Sequence, residues 1–202
     1  MSGTNGHDRE SLLMGFDRAA VERDPSVSFI ISKDFELLYF NRAYFEFARQ
    51  NGGEPALSRN FPVGSNLLDA ISGELKDFHE VRLARALAAR TASHHDYYCH
   101  TVDRYREFHE TAYPLADSGG LLLVHSLKIN EPMPSHADAR EPTESTYREP
   151  TGLFTQCSNC RRIRRSDGSG VWDWVPAWVA RAPEITSHSI CAPCYEYYWK
   201  GA

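Results

Sequence analysis

No run of apolar residues in this sequence reaches the ~20 that a membrane-spanning helix needs, so no such helix is expected. A basic surplus is missing too. The net charge of -5 argues against nucleic acid or an anionic membrane as the principal partner. The opening stretch MSGTNGHDRE has neither the apolar core of a secretory signal nor the basic character of a transit peptide, so a cytoplasmic location is expected. There is no nucleophile elbow, no H-E-x-x-H, no glycine-rich loop to cradle a phosphate and no evident carboxylate pair. An enzyme is therefore not expected. Cysteine is scarce, five in 202 residues, but four of the five fall in two C-x-x-C pairs. In a reducing compartment such pairs more often bind metal or do redox work than form structural disulfides. What is present, 42% hydrophobic and 24% charged residues, suits a globular chain, and 202 residues are enough for one ordinary domain and a smaller one or for a single large domain.

Four regions are expected. Residues 1–24 are a polar extension with one apolar cluster, Leu12, Leu13, Met14 and Phe16, and its reading is either a frayed tail or a helix from about Arg9 to Val21. Residues 25–130 read as an α+β domain. Val27, Phe29 and Ile31 alternate as in a half-buried strand, Lys33-Asp34 turns the chain, and ELLYFN (36–41) returns it. A helix through Tyr44, Phe45, Phe47 and Ala48 ends at Asn51-Gly52-Gly53. Ser65 can cap a short helix bearing Leu67, Leu68 and Ile71, and a longer helix runs from about Leu75 to Arg90. Three strands follow, at 93–102, 105–115 and 121–129, with a turn at Asp117 to Gly120. Two strands, several helices and three strands imply an antiparallel sheet with helices on one face. Residues 131–150 hold four prolines and five acidic residues and read as a linker. Residues 151–202 form a small module rich in Cys, Trp and Tyr.

In that module Cys157, Cys160, Cys191 and Cys194 can supply four thiolates to one ion. The connection between the pairs, residues 161–190, is longer than the roughly 15–20 residues of the commonest pattern. It contains the turn SDGSG and a helical stretch, VWDWVPAWVARA, on which Trp172, Val175, Trp178 and Val179 share a face that can roof the site. So small a module is expected to need a metal staple. Structural Zn2+ is the leading reading, and an iron–sulfur cluster, disulfides or a thiol switch are the alternatives. Four cysteines leave no open position for chemistry at the metal. His188 is either a further donor to the site or a packed turn residue. Arg161, Arg162, Arg164 and Arg165 raise the alternative of nucleic-acid binding through a zinc ribbon, although a solvated face around an anionic site explains them as well.

Residues 25–130 resemble a Per-Arnt-Sim (PAS) domain. FELLYFNRAYFEFARQNGG is similar to the second strand and first helix of that family, with Asn41-Arg42-Ala43-Tyr44 at the turn, and RYREFHETAYPL with GLLLVHSLKI resembles its last two strands. The C-terminal C-S-N-C-R-R-I-R, then Gly170 and Trp172, then S-H-S-I-C-A-P-C, is similar to a cysteine module found beside PAS domains in bacterial signalling proteins, with Ser189 where that module usually has glycine. The resemblance implies a five-stranded antiparallel sheet, a ligand pocket between sheet and helices, and a role in sensing. Phe29, Phe40, Phe61, His79 and Leu123 are the candidate pocket residues. His79 is either a core or rim histidine or a haem ligand on the long helix. VGSNLLDAIS lacks the reactive cysteine of flavin photosensors, and Cys99 reads as a buried apolar residue. Taken together, the expectation is a bacterial sensory or adaptor protein that binds a small ligand or a partner such as a kinase or regulator, and that can dimerise through the PAS-like domain or the N-terminal helix.

Overall fold

The structure is a computed structural model that describes residues 15–116, 119–134 and 138–199. The chain forms two compact units. The first takes residues up to 71, 78–96 and 109–126, and the second takes 72–77, 97–108 and 127–202. Among the described residues no helix is long and apolar enough to cross a membrane.

The larger sheet has five strands in the order β2-β1-β5-β4-β3, and β1 and β2 lie wholly in the first unit. These strands are β1 (Val27–Ser32), β2 (Leu37–Phe40), β3 (Ser93–Tyr98), β4 (Arg104–Pro114) and β5 (Gly120–Pro132). β1 runs antiparallel to β2, with Phe29 opposite Phe40, and to β5, with Phe29 opposite Leu123. A Cβ on Gly120 would lie 1.9 Å from the Ile31 carbonyl oxygen, so the start of β5 reaches β1 only because it carries no side chain. Between β2 and β3 come α2 (Arg42–Gln50), α3 (Ala56–Asn60), a short 3-10 helix (Leu67–Ala70) and α4 (Glu74–Ala89). This α+β arrangement is the expected PAS-like one. The 3-10 helix is capped by the Asn66 side chain accepting from the Leu68 amide at 2.9 Å, not by Ser65.

Strand alternation sorts the apolar side chains to two faces. Phe29 and Ile31 enter a cluster with Leu37, Leu83, Ala86, Ala112, Leu121 and Leu123. Ile30 points the other way, into a cluster with Leu115 and Leu122. Phe16 and Val21 pack on that second cluster, so the N-terminal extension covers part of the far face. Its described helix is α1 (Arg18–Arg23), with Asp17 as N-cap; the expected earlier start at Arg9, with Leu12 to Met14, lies outside the described residues. Asn41 is fully buried between α1, β1 and α2. Its side-chain oxygen accepts from the amides of Ser28 at 3.0 Å and Tyr44 at 3.1 Å, and its amide donates to the carbonyls of Ser26 and Val21.

The second unit contains a sheet in the order β8-β7-β6-β9: β6 (Phe154–Cys157), β7 (Ile163–Arg164), β8 (Trp172–Asp173) and β9 (Thr186–Ser189). Helices α5 (Glu144–Tyr147), α6 (Pro176–Ala180) and α7 (Ala192–Trp199) complete it. Its core is Tyr147, Phe154, Ile163 and Val175, with Trp178 against them. Tyr147 falls within the proline- and acid-rich stretch 131–150, which read as a linker. It is nonetheless buried, and its hydroxyl donates to Asp173 at 3.0 Å. The single helix expected over VWDWVPAWVARA is instead a short strand followed by a helix that begins at Pro176, where a proline lacks no needed N–H.

Candidate metal centre and buried polar cluster

The register of the second sheet brings the two cysteine pairs together. β6 and β9 are parallel, with Cys157 beside Ser189. β6 delivers Cys157 at its end, and the turn 158–160 carries Cys160. That turn closes through the Cys157 amide on the Arg162 carbonyl at 2.8 Å and the Arg161 amide on the Cys157 carbonyl at 3.1 Å. Arg161 takes a left-handed backbone, φ 61, to close it. β9 leads into Cys191, and Cys194 follows in the first turn of α7, where aligned backbone dipoles favour thiolate charge.

The four sulfurs lie within 4.8 Å of one another, with Cys160 and Cys191 only 3.6 Å apart. Three of the cysteines are buried. The neighbouring thiols hold Cys157 below its ordinary range and push Cys160 above it, because four sulfurs this close cannot all ionise without a cation among them. The site can bind a metal ion such as zinc. Two N–H groups already point at sulfur: the Asn159 side-chain amide at 3.2 Å from Cys194, and the Cys191 backbone amide at 3.5 Å from Cys157.

Other expectations for the module are placed differently. Trp172 packs against the cysteine cluster, but Val175 and Trp178 belong to the separate core. His188 is exposed on β9, and among the described residues the side-chain donor to a sulfur is Asn159. The Ser189 hydroxyl, at the position expected to be glycine, donates to Glu74 at 3.0 Å. Three of the four arginines are engaged with carboxylates: Arg162 with Asp138 at 3.0 Å, Arg164 with Glu149 at 2.6 Å and Arg165 with Asp173 at 2.6 Å.

In the first unit, the candidate pocket residues Phe29 and Leu123 lie in the inner cluster, with Phe40 and Phe61 packed on it. His79 joins a different group. Arg82, one turn further along α4, bonds to Glu110 of β4, and the His79 ring lies 3.5 Å from Arg82. Glu110 is buried and stands 3.7 Å from His125 of β5, whose ring stacks on Phe29 at 5.1 Å. His95 of β3 packs on Phe78 and His79. Burial opposes ionisation of Glu110, yet His125 and Arg82 draw its carboxyl down to about 2. Burial pushes His79 and His95 down to about 4 each, and lowers His125 as well. Cys99 follows β3 as a half-buried free thiol, raised by burial. The buried Arg82–Glu110 pair escapes the sequence reading, which finds His94, His95, His109 and His125 only scattered over strands without the spacing of a metal site. Glu110 sits in EFHETAY beside a second glutamate and a histidine, so nothing local marks it as the buried one.

No protein-family model and no curated protein matches the chain. Solved structures that it resembles include a domain of an HTR-like protein from Haloarcula marismortui, at 18% identity and TM-score 0.36, covering 52% of this chain and 100% of that one. The PAS domain of Bordetella pertussis BvgS is 18% identical with TM-score 0.40, covering 56% and 84%. The PAS domain of nitrogen regulation protein NR(II) from Vibrio parahaemolyticus is 15% identical with TM-score 0.34, covering 55% and 94%.

Proposed function

We propose that this chain is a cytoplasmic bacterial sensory or adaptor protein without catalytic activity. Its PAS-like unit takes a small ligand or a partner protein, and its four-cysteine module is a zinc-held surface for protein interaction. The observation that carries the metal reading is the sulfur spacing. A tetrahedral shell with bonds of about 2.3 Å spaces its sulfurs about 3.8 Å apart. Four sulfurs within 4.8 Å suit one ion, whereas an iron–sulfur cluster spreads its thiolates more widely. Four sulfurs leave no position for water, which supports a structural ion. The sensory reading rests on the strand order and on a polar cluster beside the apolar interior formed by Phe29, Phe40, Phe61 and Leu123. A signal leaves by population shift: an occupant that prefers one arrangement of the unit alters docking of a kinase or regulator. The PAS-like domain or the N-terminal helix is the proposed homodimer contact.

Elemental analysis of the purified chain tests the metal reading. About one zinc per chain and no iron is expected. Iron with sulfide would replace zinc by a cluster, and iron without sulfide would bring haem and His79 forward. Capture of partners by zinc-loaded chain but not by zinc-stripped chain tests the interaction role, and equal capture would end it. Binding of nucleic acid through the arginines is disfavoured by their carboxylate partners. Retention on nucleic acid that falls steeply with salt would reinstate it.

A further inference from the structure

We propose that Asn159 and Tyr198 are positioning residues of the metal centre, forming a hydrogen-bond chain that braces one cysteine pair against the other. The inference rests on the reading of the four cysteines as a metal site. The Tyr198 hydroxyl donates to the Asn159 side-chain oxygen at 3.1 Å, and the Asn159 amide donates to the Cys194 sulfur at 3.2 Å. All three residues are sealed from solvent, with 3%, 5% and 7% exposure for Tyr198, Asn159 and Cys194. A buried amide is costly unless bonded at both ends, and this one is bonded at both.

The direction of the chain is informative. Tyr198 holds the amide oxygen, so the amide N–H is presented to sulfur. An N–H donor matches a sulfur carrying thiolate charge, as metal ligation requires. The connectivity is informative too. Asn159 lies in the turn between Cys157 and Cys160, while Cys194 and Tyr198 lie one helical turn apart on α7. The chain therefore ties the knuckle of the first pair to the helix of the second. Four thiolates around one dication leave a net charge of about −2. A bond from N–H to sulfur draws off part of that charge, so Cys194 attracts competing electrophiles less and stays on the ion.

The test uses the full chain, with Asn159→Asp, which keeps the shape but replaces the donor by an acceptor, and Tyr198→Phe, which removes one oxygen. Each protein is loaded with zinc and the rate of transfer to a chelator is measured. Each is then loaded with cobalt(II), and the sulfur-to-cobalt charge-transfer band is recorded. Asn159→Asp is expected to weaken zinc retention by roughly 10- to 100-fold and to move the band to longer wavelength. Tyr198→Phe is expected to do the same to a smaller degree, and it decides the matter alone if Asn159→Asp does not fold. Wild-type transfer rates with an unmoved band would overturn the proposal, as would lower thermal stability with the band unmoved. A wild-type chain that takes up no metal at all would overturn the metal reading itself, and this inference with it.

Discussion

The two units reach stability by different routes. The first has apolar clusters on both faces of its sheet, with Ile30, Ile31, Leu83 and Leu121 fully buried. Its stability follows from the area removed from water. The second has, in its own sheet, strands of two to four residues, an apolar cluster built on Tyr147, Phe154, Ile163 and Val175, and polar cross-links: Tyr147 to Asp173, Arg165 to Asp173, Arg164 to Glu149. Its buried apolar side chains are divided between that cluster and the one around the cysteines, and short strands add few backbone bonds to set against the entropy of ordering the chain. The four-sulfur cluster lies in the second unit, where an ion bound only by the folded state would add its binding energy to folding.

The largest expected effect breaks this comparison open. Cys157→Ser, or stripping zinc with a chelator, removes one corner of the shell or all of its content, and structural zinc contributes about 10–16 kcal/mol in small modules. Amides of residues 154–199 are expected to exchange within seconds, while those of 27–40 stay protected. Hydrogen exchange read by mass spectrometry separates the two. Collapse of both units would show that the first does not stand on its own core.

The converse substitution is Leu83→Ala on α4, inside the first unit. Deleting a fully buried leucine is expected to cost about 2–5 kcal/mol. All four tryptophans, Trp172, Trp174, Trp178 and Trp199, lie in the second unit, so their fluorescence follows it alone. In Leu83→Ala the urea midpoint followed by exchange of residues 27–40 should fall, while the fluorescence midpoint stays. A matching drop in fluorescence would mean that the units unfold as one.

Acid sharpens the comparison by a smaller amount. His79 and His95 titrate near 4 in the folded chain because burial disfavours their charged forms, against an ordinary value of 6.5. The unfolded chain thus binds protons first, and the first unit loses stability as pH falls from about 6.5 to about 4. Glu110, held near 2, adds its own loss only below its ordinary 4.5. His95→Gln is expected to flatten the slope between those limits, as measured by urea midpoints at stepped pH. An unchanged slope would mean that other groups carry it.

What was legible in the chain followed the range of each interaction. The alternation of Val27 to Ile31, the Asn41 turn and the C-x-x-C pairs are local patterns, and the five-stranded sheet and the sulfur clustering came out as expected. Asn159 was in plain view between two cysteines, but its partner Tyr198 is 39 positions away. The Arg82–Glu110 pair spans 28 positions and has no periodic signature. Tyr147 sits in a stretch whose composition argues for solvent, and a single aromatic residue among prolines carries no pattern. Pro176 was present in the expected helix, yet only the chain's path shows that the helix starts there.

The smallest effect concerns the knuckle itself. Arg161 holds φ 61 directly after the second cysteine of its pair, a conformation that costs an ordinary residue roughly 1–2 kcal/mol. Glycine escapes that cost but loses more freedom on folding, an opposing contribution of up to about 1 kcal/mol. Arg161→Gly should therefore stabilise the second unit by up to about 1 kcal/mol, seen as a later fluorescence midpoint in urea with zinc bound. The Arg161 side chain is exposed, so little packing is lost. The first unit, followed by exchange of residues 27–40, should not respond. A destabilised second unit would assign the Arg161 side chain a bond to the anionic sulfurs, strong enough to outweigh the strained backbone that holds it there.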